Sequence, residues 1–415
     1  MGADPQKLPS LAGRDWLEDA RFQAVVKALE AAGGEARAVG GCVRDALLGE
    51  PAGDIDIATT LSPEAVMEAG KKAGLGAHPT GIDHGSVTLV SGPEGAHVPY
   101  EVTTLRVDEE TYGRHAKVAF TSDWEADARR RDFTMNALYC GADGTVFDPV
   151  GGYGDIVTRT VRFVGNPAHR IKEDYLRILR FFRFHARFGK GQPEENARAA
   201  CRQARSELDG LSRERIRQEF FKLLAAKGGP ATIHLMNDDG VLEHVLNGKI
   251  SVQALEKLGE IDAARKGCSD ALLRLAVLYG QVGASEAREA FVLTNSETVR
   301  LRNLRSAPQV TPNFRVEERE RLLYWFGAQT FSDSILASWA CSDAPANNAD
   351  WFGLLNLAGS WVQPEFPLSG EDLLENGIEE GPRLGEILQT IEDWWVAGGF
   401  TASRDDLLKR LRNMS

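Results

Sequence analysis

Long apolar runs are missing from this sequence, and cysteine is scarce. No apolar stretch approaches the roughly 18 residues needed to cross a bilayer, so no membrane partner is expected. Met1 to Leu11 contain no apolar h-region, so no signal peptide is expected either. The five cysteines stand at 42, 140, 201, 268 and 341, with no Cys-x-x-Cys pair. That scatter implies neither a zinc site nor a disulfide framework, and it fits a reducing cytoplasm. There is no convincing repeat and no low-complexity tract. Positive charge is also short: 48 Lys+Arg face 60 Asp+Glu, for a net charge of −12. Total charge alone argues against nucleic acid as a partner.

What is present is an ordinary globular mix, 43% hydrophobic and 26% charged, rich enough in apolar residues to bury a core. At roughly 100–200 residues per domain, the length suggests two to four domains. Residues 1–150 alternate short β-type runs with helical stretches. Ala36–Val39 reads as a strand ending in Gly40-Gly41, and Val43–Leu48 as a short helix. Asp54–Thr59 opens with the period-2 alternation of a half-buried strand. Ser62-Pro63-Glu64 has the cap, proline and acid that start a helix. Ser86–Val90, Tyr100–Thr104 and Met135–Tyr139 read as further strands. After Asp148-Pro149-Val150-Gly151-Gly152 the β signals fade and the pattern becomes helical. The expected fold is an α+β head with a mixed sheet, followed by an all-α neck, body and tail. The expected boundaries are 1–150, 151–228 and 229–415.

Charge is unevenly placed. From Arg159 to Lys222 there are about 16 basic residues against 8 acidic ones; from Asp350 onward there are about 5 against 12. A basic neck is therefore hidden inside an acidic total.

The sharpest chemistry lies near residue 50. On a strand, Asp54 and Asp56 project to the same face. Two carboxylates so close repel, and a bound dication relieves the repulsion; hard oxygen ligands suit Mg²⁺. Glu101 on the Tyr100–Thr104 strand is placed to join them as a third ligand. Three such carboxylates suit two-metal phosphoryl transfer. Gly40-Gly41 before a helix lets a triphosphate approach the backbone, and Arg44 in the first turn can reach a phosphate. Alone, Asp-x-Asp is ordinarily a solvated strand edge and Gly-Gly a turn. Their order and spacing together favour the site.

Together with Tyr100-Glu101-Val102-Thr103-Thr104 and Arg130-Arg131-Asp132-Phe133-Thr134-Met135-Asn136-Ala137, these motifs resemble the bacterial tRNA nucleotidyltransferase and poly(A) polymerase family. That family is class II of the polymerase-β-like nucleotidyltransferases and includes the CCA-adding enzymes. The likeness continues through Asp148–Gly152 and Glu173-Asp174-Tyr175-Leu176-Arg177, covering about residues 35–225. A weaker likeness appears at Leu368–Leu374 and Gly381–Gly385.

The resemblance implies that Asp54 and Asp56 hold the metal and that Glu101 is the third catalytic carboxylate. It implies that Gly41, Arg44 and Arg131 contact the nucleotide, with Asp132 and Asn136 as ribose or loop-bracing partners. Asp174 and Arg177 become a protein template, and Arg180 and Arg183 contact phosphates. Asp174, Arg177, Arg180, Arg183 and Arg187 recur at helical spacing, so one helix is expected to carry them all. The template chemistry is sound: cytosine and adenine each offer an exocyclic amine beside a ring-nitrogen acceptor. A carboxylate accepts from the first, and a guanidinium donates to the second. Uracil and guanine present a carbonyl where the amine should be.

The implied function is addition of C, C and A to tRNA from CTP and ATP, with Mg²⁺, in the cytoplasm. The alternatives are a poly(A) polymerase, an enzyme adding only CC or only A, and a non-catalytic RNA-binding protein. The segment from Val107 to Val118 bears on A addition, because the family attributes its C-to-A switch to a loop here. This chain has Arg114-His115-Ala116 where Arg-Arg-Pro is common in the family. His84 is expected in a turn, Trp394 and Trp395 in the core, and the helix around Ser212–Leu224 as a brace for the template.

Overall fold

The computed structural model describes residues 8–112, 115–280 and 282–414. The chain separates into two units, dividing after Val245.

The first unit starts with helices α1 (Asp15–Glu18) and α2 (Ala20–Ala31), then strand β1 (Ala36–Val39), α3 (Gly41–Leu47), β2 (Asp56–Thr59) and α4 (Pro63–Lys72). Strands β3 (Gly76–Gly81), β4 (Ser86–Ser91) and β5 (Val98–Thr104) follow, then a two-stranded ribbon, β6 (Arg106–Tyr112) and β7 (His115–Phe120). Helix α5 (Trp124–Arg129), the short strands β8 (Tyr139–Cys140) and β9 (Val146–Phe147), and α6 (Gly152–Thr158) complete the head. The main sheet has seven strands in the order β3-β4-β5-β2-β1-β8-β9. Among the described residues only β2 and β5 pair in parallel, and this sets Asp56 opposite Glu101.

Local sequence explains most of these elements. β4 alternates strictly: Val87, Leu89 and Ser91 are buried, and the residues between them are half-buried. Ser62 Oγ accepts from Ala65 N–H, and Pro63 opens α4. Gly40 turns from β1 into α3 at φ 73°, a backbone angle that side chains rarely tolerate.

Two expected strands change. β2 begins at Asp56, leaving Asp54 exposed in the bend before it. Met135 lies in a 3₁₀ turn, Thr134–Asn136, and strand pairing resumes only at Tyr139. The turn forms because residues 132–134 pair with the neck instead: Thr134 N–H donates to Arg162 O, and Val164 N–H donates to Asp132 O.

Helices α7 (Pro167–Glu173), α8 (Arg177–Phe188), α9 (Glu195–Gln203), α10 (Arg213–Ala225) and α11 (Gly229–Asp238) follow. The apolar face of α8 buries Ile178, Leu179, Phe181, Phe182 and Phe184, as its spacing requires. Phe133 packs against Phe163 and Phe184, each 4.9 Å between ring centroids, and Phe163 stacks on Phe181. Head and neck thus share an aromatic core.

The second unit is helical. One of its cores gathers Tyr324, Leu373, Ile391, Trp395 and Leu407. Trp395 is in that core; Trp394 is 37% exposed and carries the Arg410 guanidinium 4.5 Å over its ring. Adjacent residues on a helix face different ways, so the expected buried pair divides. No helix among the described residues is long and apolar enough to cross a membrane.

Candidate active site

The parallel β2–β5 pairing builds the carboxylate edge. Asp56 and Glu101 are direct partners across it, and Asp54 precedes Asp56 by two residues. Burial, then the charges of Glu101 and Asp54, push the Asp56 carboxyl up to about 6, against the opposing pull of Arg131. Ser86 Oγ donates to Glu101 Oε1 at 3.2 Å. Among the described residues, no three Asp, Glu, His or Cys side chains close into a ready-made metal cage. The donor set still suits Mg²⁺: this ion is commonly held by one or two carboxylates, with water and substrate phosphates completing its shell. The repulsion of Asp56 by Glu101 and Asp54 is what a dication would relieve.

Beside this edge, Arg44 is buried in the first turns of α3. Its Nε donates to Asp45 Oδ1 at 2.8 Å, its Nη1 donates to Asn136 Oδ1 at 2.6 Å, and its guanidinium lies 4.0 Å from the Phe188 ring centre. Gly41 leaves open space: the nearest atom to a side chain there would be Arg44 Nη2, 3.7 Å away.

Arg131 is held by one carboxylate. Its Nη2 donates to Asp127 Oδ2 at 3.0 Å, and the Tyr139 hydroxyl donates to the same oxygen at 2.7 Å. Its Nη1 would be 3.7 Å from a Cβ on Gly40, so Arg131 stands beside the glycine turn.

From there a cleft of about 350 Å³ opens, lined by Arg131, Asp132, Asn136, Asp174, Arg177 and Arg180 among others. Four of the expected nucleotide-binding residues thus share one cavity. Asp174, however, is not on the helix with Arg177. It ends α7 in extended conformation, and its Oδ1 accepts from Leu176 N–H at 3.1 Å ahead of α8. A side chain that caps its own backbone favours a helix start over a helix interior. Arg215 of α10 donates to Asp174 Oδ2 at 2.7 Å, so α10 does brace the segment that opens α8. Arg177 Nη1 donates to Arg170 O at 2.6 Å and pairs with Glu173. Arg180 Nε donates to Asp132 Oδ2 at 2.9 Å. Burial would raise the Asp132 carboxyl, but the Arg180 charge and hydrogen bonds from Asn136 and Phe133 N–H hold it at about 2. Arg183 does not line the cleft; its Nε meets Glu219 Oε2 at 2.5 Å.

His84 closes a short 3₁₀ turn, and its carbonyl accepts from Arg106. Arg114 lies outside the described residues; the segment around it pairs as the β6–β7 ribbon, beginning at Arg106 with Phe120.

Sequence reasoning missed the counter-charges: Asp127, Glu173 and Glu219. The available signal was the crowding of arginines in Arg129-Arg130-Arg131 and in Arg177–Arg187, which cannot be half-buried without acids. These acids also change the meaning of the basic neck. Asp45, Asp132, Asp155 and Asp239 lie outside the basic stretch, yet they pair with Arg187, Arg180, Arg162 and Arg198 within it. Much of the local positive excess is therefore spent inside the fold.

The chain matches two family models, the Poly A polymerase head domain over residues 36–162 and the Probable RNA and SrmB- binding site of polymerase A over 192–249. It is 34% identical over 391 residues to the mitochondrial CCA tRNA nucleotidyltransferase 1 of Mus musculus, covering 91% of this chain and 86% of that one. It is 32% identical to the CCA-adding enzyme of Limosilactobacillus fermentum, covering 93% and 94%. Among solved structures it resembles the Bacillus stearothermophilus CCA-adding enzyme in complex with CTP. That likeness has a TM-score of 0.74 and 27% identity, covering 95% of this chain and 98% of that one. With such identity sustained along nearly its whole length, the chain belongs to the family of CCA-adding tRNA nucleotidyltransferases.

Proposed function

We propose that this chain adds C, C and A in turn to the 3′ end of tRNA, taking CTP and ATP and releasing pyrophosphate. One observation carries the reading: Arg131, Asp174, Arg177 and Arg180 line a single cleft of about 350 Å³. That volume is within the usual range for a small-molecule site. Its lining supplies both a base-reading pair and cations for a triphosphate.

The roles follow from position. Asp174 accepts from the exocyclic amine of cytosine or adenine, and Arg177 donates to the neighbouring ring nitrogen. Arg131 stands between the cleft and the carboxylate edge, where its charge reaches Asp56. With Arg44 and Arg180 it orients the triphosphate over the open backbone of Gly41. Arg183 steadies α8 through Glu219 and is assigned to primer phosphate. Asp54 and Asp56 would hold Mg²⁺, with Glu101 beside them; the ion would neutralise charge on the transferred phosphoryl group. The tRNA 3′-hydroxyl attacks the α-phosphate in line, and catalysis is mainly positioning and charge stabilisation. The neck and the helical remainder from Leu246 onward are assigned to gripping tRNA. The reaction is assigned to the cytoplasm; cysteines that all stand as free thiols fit any reducing compartment.

Incorporation from separate CTP and ATP pools tests this. On tRNA lacking CCA, two C and then one A are expected, with none on unstructured RNA. Long A tracts on any RNA would overturn it in favour of a poly(A) polymerase; C alone or A alone would make it a partial enzyme. Base reading has its own test. Asp174→Asn offers an amide donor to the uracil carbonyl, so the preference for CTP over UTP should fall roughly 5- to 150-fold. Unchanged preference would place base selection on other residues.

A further inference from the structure

We propose that Asn136 is a positioning residue that locks the two ends of the nucleotide site into one arrangement. The proposal rests on the nucleotide-facing roles assigned above to Arg44 and Arg180. Asn136 ends the 3₁₀ turn and is 9% exposed. Its Oδ1 accepts from Arg44 Nη1 at 2.6 Å, and its Nδ2 donates to Asp132 Oδ1 at 3.1 Å. The other oxygen of Asp132 accepts from Arg180 Nε at 2.9 Å. One amide therefore ties the guanidinium beside the glycine turn to the guanidinium in the base-reading cleft, through a single carboxylate.

The geometry asks for a particular functional group. A cation on one side needs an acceptor, and an anion on the other needs a donor. A primary amide supplies both from one planar head. An aliphatic side chain supplies neither. A carboxylate satisfies Arg44 but faces Asp132 with like charge; a protonated carboxyl restores the donor. The oxygen and the nitrogen of the amide each meet a protein partner, so Asn136 acts on the nucleotide through Arg44 and Asp132.

The backbone of this turn is pinned separately. Asn136 N–H donates to Phe133 O at 2.9 Å, and Thr134 Oγ1 donates to Asp155 Oδ2 at 2.6 Å. Side-chain substitutions at 136 should therefore leave the fold in place.

The test uses the full chain with Mg²⁺, titrated with CTP and with ATP, alongside single-nucleotide kinetics on tRNA lacking CCA and on tRNA ending in CC. For Asn136→Asp at about pH 8, Kd and KM for both nucleotides should rise at least about 10-fold, with KM for tRNA within about twofold. Lowering the pH to about 6 should restore nucleotide binding to within about threefold of wild type, as the introduced carboxyl takes up a proton. The fixed charges around it are Arg44, Asp45 and Arg187 on the α3 side, and Arg180, Arg183 and Glu219 on the neck side. Asn136→Ala should show the same loss with no recovery in acid. The proposal is overturned if either variant binds CTP as wild type does, or if Asn136→Asp shows no acid recovery. It is equally overturned if the loss falls on kcat alone. A wild-type protein that binds CTP but adds nothing would overturn the functional reading instead, and the variant Kd values would still decide the role of Asn136.

Discussion

Asp56→Asn should lower nucleotide addition by about 10³-fold or more and, at the same time, raise the stability of the protein. The loss follows from removing a carboxylate that would hold the metal, where charge stabilisation is worth several kcal/mol of barrier. The gain follows from crowding. Burial, Glu101 and Asp54 raise the Asp56 carboxyl to about 6 in the folded chain, while an unfolded aspartate titrates near 3.8. Between about pH 4 and 6 the folded state therefore keeps a proton that the unfolded state has already released. Wild-type stability falls as pH rises through that window, and the deficit persists above it. Asparagine has no such cost. After discounting for partial exposure, the expected gain at neutral pH is on the order of 1–2 kcal/mol. Thermal melting without metal should place the variant above wild type. Adding Mg²⁺ should raise the wild-type midpoint by binding the folded state, and the variant much less. A variant that keeps near-normal turnover, or that melts lower than wild type without metal, would remove Asp56 from the catalytic edge.

That Asp56 sits among other carboxylates was legible from Asp54-Ile55-Asp56 and Glu101, because strand periodicity and the parallel partner place them together. That Asp54 falls outside the strand was not, since alternation over three residues cannot fix where pairing begins. The residues proposed as template were readable as a string but not as a shape. Helical spacing places Asp174 on one stripe with Arg177, whereas its side chain bonds Leu176 N–H and ends α7. The turn at Thr134–Asn136 was hidden for a different reason. Apolar Met135, Ala137 and Leu138 resemble a strand, but the preceding backbone is committed to residues 162–164 of the neck.

Counter-charges were least visible. Asp239 meets Arg198 from 41 residues away, and Asp132 meets Arg180 from 48. No spacing rule links such pairs. A charge count along a window therefore overstates the positive potential a fold will present. The basic neck of this chain is partly a structural framework that holds a smaller number of arginines toward the cleft.

Asp127 is where that framework carries the greatest expected cost. Its carboxylate is 1% exposed and accepts from four residues. Oδ1 accepts from Arg130 Nε at 2.9 Å and from Arg106 N–H at 3.3 Å, and Oδ2 accepts from Arg131 Nη2 at 3.0 Å and the Tyr139 hydroxyl at 2.7 Å. Asp127→Leu would leave two half-buried guanidiniums without their acid, so a loss of about 3–5 kcal/mol is expected. Asp127→Asn keeps the shape and loses the charge, at about 1.5–3 kcal/mol. It should fold, and its defect should then appear as a raised nucleotide KM, because Arg131 loses the anchor that aims it. Acid should reproduce the effect in wild type. Burial would raise the Asp127 carboxyl, but the charges of Arg131 and Arg130, with the Tyr139 hydroxyl, overcome it and hold the group below the usual carboxylate range. Asp132, held at about 2, behaves alike. Both are depressed in the folded state, so their contribution is complete above the unfolded value near 3.8 and is lost as pH falls from about 4 toward 2. Denaturant midpoints across that range should fall steeply for wild type and less steeply for Asp127→Asn. Parallel slopes for the two proteins would mean that Asp127 is not the group whose protonation loosens the head.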